Sequence, residues 1–135
     1  MTIESKRFLW WSSATIRICH PNLDPAELTK LLDADPSIAL RPGESKVPYG
    51  ECRSAGYWCT EYRVDEPLLP NHVIEWTENF VNKRIEVFKN LQMKKYFIDV
   101  YIGIHSNILA LGFDVPATPT LWELGIPLGI EYFSP

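Results

Sequence analysis

At 135 residues, with 46% hydrophobic and 22% charged side chains, the chain fits one globular domain spanning 1–135 and excludes a disordered polymer. A domain of this length buries roughly two-thirds of the surface that its unfolded chain exposes, so its fold requires neither a disulfide nor a metal. Seventeen acidic against thirteen basic residues leave a net charge of −4, which argues against nucleic acid as a partner because phosphate neutralisation needs a basic face.

The opening "SKRFLWWSSA" mimics a charged leader, but its apolar stretch has four residues, too short for a signal peptide. No run approaches the roughly eighteen apolar residues of a membrane span. The three cysteines Cys19, Cys52 and Cys59 are odd in number and lack CxxC spacing. That spacing predicts no disulfide framework and a reducing, cytoplasmic location. In "SATIRICH", Ala14, Ile16 and Ile18 alternate with Thr15, Arg17 and Cys19, the period of a half-buried strand. Phe8 and Trp10 continue the apolar face, so residues 1–12 are an N-terminal arm or an extension of this strand.

"LDPAELTKLL" predicts a short helix. Asp24 is its cap, Pro25 its first residue, Glu27 completes a capping box, and Leu23 and Leu28 are spaced for a hydrophobic staple. "SIALRPGESKV" predicts a strand ending in a turn at Pro42-Gly43. "GYWCTEYRV" predicts another strand, with Tyr57, Cys59, Glu61 and Arg63 on one face and Trp58, Thr60, Tyr62 and Val64 on the other. The period then changes to 3.6: Ile74, Thr77, Val81, Ile85, Phe88 and Leu91 predict one long helix from Asn71 to Met93. Lys83, Arg84, Lys89, Lys94 and Lys95 lie towards its end and Asp65, Glu66, Glu75 and Glu78 near its start, a distribution suited to the helix dipole. "KYFIDVYIGIHS" and "NILALGFDV" predict two further strands. "ATPTLWELG" predicts a helix capped by Thr118, opened by Pro119 and ended by Gly125, and "PLGIEYF" a last strand. The shared cap-and-proline device of the two short helices hints at internal duplication. The order β-α-β-β-α-β-β-α-β predicts a two-layer α+β domain, with three helices on one face of a mainly antiparallel six-stranded sheet.

The "ATIRI" strand running into "LDPAELTKLL", followed by "RPGE", "GYW", "EPLLPNHVIEW" and "LGIPLGIEYF", resembles a family of small bacterial proteins, domain of unknown function 4279 (DUF4279). The likeness runs from about Ala14 to Phe133. It implies an α+β fold of the order above and brings no reaction or catalytic residue with it.

Cys19 and His20 are adjacent, yet successive strand residues point to opposite faces, so they do not form a thiol–imidazole pair. His20, His72 and His105 fall on separate elements, and nothing in the spacing supports a zinc site built from His20, His105 and Cys59. GxSxG and phosphate-loop patterns are absent. The most suggestive surface is the second face of "FIDVYIGIHS", where Gly103 leaves a gap between Tyr101 and His105. Asp99, Tyr101, Gly103 and His105 are candidates for a ligand-binding groove there, joined by Arg17 if its strand neighbours theirs. Asp99 and His105 are about 20 Å apart along a flat strand, too far to act as an acid–base pair. No catalytic residue, metal or cofactor is expected.

The leading expectation is a non-enzymatic interaction module with a protein partner, possible also as an immunity protein that neutralises a toxin. The alternative is a small-molecule binder or enzyme using Arg17, Asp99, Tyr101 and His105. A third reading is a homodimer formed through a sheet edge or through Trp10-Trp11.

Overall fold

The computed structural model describes residues 9–44, 55–65, 70–106 and 113–133. In chain order these form β1 (Leu9–His20), α1 (Pro25–Leu32), β2 (Ile38–Leu40), β3 (Gly56–Asp65), α2 (Asn71–Asn82), α3 (Ile85–Met93), β4 (Phe97–Ser106), α4 (Pro119–Leu124) and β5 (Leu128–Phe133). The strands make one sheet in the order β2-β3-β1-β4-β5. Three pairings are antiparallel and β4–β5 is parallel. The architecture is α+β, as the sequence predicts, with five strands and four helices among the described residues.

Two counts are corrected. The long helix divides at Lys83-Arg84, where Arg84 leaves helical geometry at φ −125° and ψ 29°. Its guanidinium donates to the Leu32 carbonyl at 2.6 Å and the Phe80 carbonyl at 3.2 Å, and lies 3.8 Å from the Phe80 ring centroid. Arg84 therefore ties the end of α1 to the α2–α3 junction rather than decorating a helix end. The predicted strand at 107–115 lies mostly outside the described residues, and its described part, Phe113 to Val115, is not a strand.

The capping predictions divide the same way. Asp24 Oδ1 accepts from the Ala26 amide at 3.1 Å, and Leu23 and Leu28 are both buried. Thr118 makes no side-chain cap bond; Glu78 of α2 instead takes the Thr120 amide at 2.9 Å and the Leu121 amide at 3.1 Å. Gly125 ends α4 in the left-handed region at φ 64°. The duplication hint also fades, because α1 leads to antiparallel β2 whereas α4 leads to β5 parallel to β4.

Even-numbered residues of the central strands, among them Ile16, Ile18, Trp58, Val100, Ile102 and Ile104, pack under the helices with Val73, Ile74, Val81 and Phe88. Trp58 Nε1 donates to Thr29 Oγ1 at 3.1 Å, which gives this buried indole its partner. At Gly56 the β3 backbone passes so close to Leu23 that an added Cβ would sit 2.7 Å from the Leu23 Cβ. The odd-numbered residues form the opposite face, on which no described helix packs. Among the described residues no helix is long and apolar enough to cross a membrane.

Candidate functional site on the second face of the sheet

Register assembles this face in rows. β1 pairs on both sides, bringing Asp99 and Cys59 opposite Arg17, and Tyr101 and Glu61 opposite Thr15. Gly103 and Arg63 stand opposite Ser13, and His105 and Asp65 opposite Trp11. β5 adds Glu131 beside Gly103 and Phe133 beside His105.

The Arg17 row is polar. Nε donates to Asp99 Oδ1 at 2.7 Å and Nη2 to Asp99 Oδ2 at 2.5 Å, a bidentate ion pair whose side chains are 19% and 15% exposed. The Arg17 guanidinium also lies 5.4 Å from the Tyr101 ring centroid, and the Tyr101 hydroxyl donates to Glu131 Oε1. Thr15, Arg17, Tyr57, Cys59, Glu61 and Tyr101 help to line a hollow of about 290 Å³. Burial pushes the Cys59 thiol above its ordinary value, with hydrogen bonds from its neighbours opposing only in part. A thiol held protonated is a poor nucleophile, and the guanidinium is already bonded to Asp99.

The Trp11 row is aromatic. His105 stacks against Trp11 at 3.6 Å between ring centroids and against Phe133 at 4.5 Å. Arg63 covers the other side of Trp11 at 4.0 Å and pairs with Asp65 at 3.1 Å. Desolvation in this stack, and next the charge of Arg63, lower the His105 pKa.

The predicted residues therefore divide. Arg17, Asp99 and Tyr101 come together because β1 and β4 are neighbours. His105 belongs to the aromatic row. Gly103 is buried without a bulge; a Cβ there would meet Ser13, Tyr101 and His105 at ordinary contact distances of 3.4–3.7 Å. The gap in the side-chain ladder is thus occupied by its neighbours' rings. Reasoning by strand missed Trp11, Arg63, Glu131 and Phe133 as members of this surface. Their odd numbering was visible, but the strand order that unites them was not.

Cys19 and His20 do point apart. His20 Nδ1 accepts from the Asn22 amide at 3.0 Å, so Nε2 carries the proton and donates to the Lys94 carbonyl at 3.1 Å, while the ring stacks on Tyr96. His20 and His105 lie on opposite faces and do not converge on Cys59. Cys19 is disulfide-bonded, although the cysteine count and spacing predict no disulfide framework. Motif spacing reports local metal and redox sites, whereas a disulfide needs only two cysteines brought together by the fold.

No curated protein and no solved structure matches the chain. Residues 11–129 match the family described as Domain of unknown function (DUF4279), a span that takes in β2, β3 and β4 whole, most of β1, the start of β5 and all four helices. The chain belongs to that family.

Proposed function

We propose that the chain is a non-enzymatic interaction module that holds a protein partner on the second face of its sheet. The observation that carries this reading is the row Arg63–Trp11–His105–Phe133, a stack of three rings with a guanidinium at one end. Tryptophan and arginine are the side chains that most often anchor interfaces. Here they are held in place by stacking, so binding orders them at little entropic cost. The net charge of −4 suits a basic partner, and a toxin neutralised by an immunity protein is the version we favour. A disulfide persists in oxidising compartments, so Cys19 counts against the cytoplasmic location expected from cysteine spacing.

The test compares capture by the native chain and by Arg63→Glu. Arg63 is exposed and its pair with Asp65 contributes little to stability, so the variant folds. A stoichiometric partner bound by the native chain and at least tenfold more weakly by the variant supports the reading. A partner that binds both equally, or none at all, overturns it.

The hollow beside Arg17 favours a second reading, a small polar ligand, because its volume lies at the lower end of the range for small-molecule sites. Native mass spectrometry of protein from its host would then show a bound mass that Tyr101→Ala abolishes. A bare chain would remove this reading.

A further inference from the structure

The two edges of the sheet differ. β2 is three residues long, and short edges resist further pairing. β5 has six residues, "LGIEYF", with no lysine, proline or bulge, the devices that usually guard an exposed edge. Ile130 is 44% exposed, and Tyr132 and Phe133 are each 38% exposed, so apolar side chains stand open on both faces of the strand.

The backbone of β5 is half used. The Val100 amide donates to the Pro127 carbonyl at 2.8 Å, and the parallel register sets Val100 beside Leu128. The ladder to β4 therefore uses the odd-numbered residues of β5. The amides and carbonyls of Leu128, Ile130 and Tyr132 point outward, where no described strand meets them.

We infer that β5 is the seam of a symmetric dimer, in which a second copy of this chain adds its own β5 antiparallel to the first. With the two-fold axis perpendicular to the sheet, opposed residues must share a face and hence a parity. Centring the axis on Ile130 sets Ile130 opposite itself, Leu128 opposite Tyr132 and Gly129 opposite Glu131. All three outward residues of each strand then become hydrogen-bonded pairs, and the apolar side chains meet on the helix-bearing face. Glu131, the single charge on β5, faces a glycine and keeps its bond from Tyr101. Moving the axis to Glu131 would set two carboxylates directly opposite each other, which is destabilising. An axis on Gly129 would set Tyr132 opposite Ile126, outside the strand. The Ile130 axis alone therefore pairs every outward residue while keeping Glu131 from its own copy, which suits a second copy as the occupant. The product is one ten-stranded sheet with all helices on the same side. The seam shares Phe133 with the aromatic row but not Arg63, so Arg63→Glu leaves the seam intact and the two readings can fail separately.

The test is sedimentation across the micromolar range with the native chain, Ile130→Lys, Ile130→Glu and Ile130→Pro, each shown to be folded by circular dichroism. The native chain is expected to sediment as a dimer. Each charged variant, placing like charges opposite at the axis, is expected to dissociate at least tenfold more readily. Ile130→Pro, which removes only an outward amide, should also weaken the dimer. Mixing the Lys and Glu variants should restore association, because residue 130 then meets its opposite charge. A native chain that stays monomeric, charged variants that dimerise as well as the native chain, or a mixture that stays monomeric would overturn the inference.

Discussion

His105 shows how a residue acquires its properties from neighbours that lie far away in the chain. Its ring is held between Trp11 and Phe133, and desolvation followed by the charge of Arg63 lowers its pKa. The folded chain therefore binds that proton less readily than the unfolded chain does. The stability contributed by neutral His105 is complete above the ordinary imidazole value of about 6.5 and declines as pH falls from there towards the lower folded value. His105→Phe keeps a ring in the stack and removes the titration. Thermal melts from pH 8 to pH 5 are expected to show the native chain losing stability relative to this variant at the acidic end. Parallel curves for the two would refute the assignment. Alternation in "FIDVYIGIHS" places His105 on the face of Asp99 and Tyr101, but not in the aromatic row, because alternation reports a face and not a neighbour.

Among the elements, α4 depends most on a group outside itself. Its six residues are too few to be stable alone, and its first amides are satisfied by the Glu78 carboxylate of α2. The negative charge also suits the helix N-terminus. Glu78→Ala is expected to cost about 1–2 kcal/mol, or roughly 3–8 °C in Tm for a domain of this size. Thr118→Ala should change Tm little, since Thr118 makes no cap bond. The reverse ranking in thermal melts would return the cap to Thr118. Read along the chain, Thr118-Pro119 is the stronger signal. A carboxylate arriving from 42 residues earlier leaves no local pattern.

At the scale of the whole molecule, the cysteines have fates that spacing does not predict. Cys19 is disulfide-bonded, while Cys59 is a buried free thiol. Peptide mapping after alkylation should find Cys59 unlabelled in the native chain and labelled once the chain is denatured. Cys19 should be labelled only after denaturation with a reductant. Labelling of Cys19 by denaturation alone would show that the disulfide is absent from the protein as made.

The local sequence was enough to place α1, α4 and the five described strands and to mark the apolar faces of β1 and β4, although it also predicted a strand at 107–115, whose described part is not one, and one helix where there are two. Those properties follow from periods of two and 3.6 within a few residues, which is why the ends of α1, β3 and β4 and the outer limits of the α2–α3 region were legible. The tertiary fold placed β1 between β3 and β4, ran β5 parallel to β4, and divided the long helix at Arg84, whose guanidinium bonds to α1. It also set Arg17 against Asp99 and gathered Trp11, Arg63, His105 and Phe133 into one row. Each of these rests on contacts between residues tens of positions apart, whose geometry no local pattern encodes.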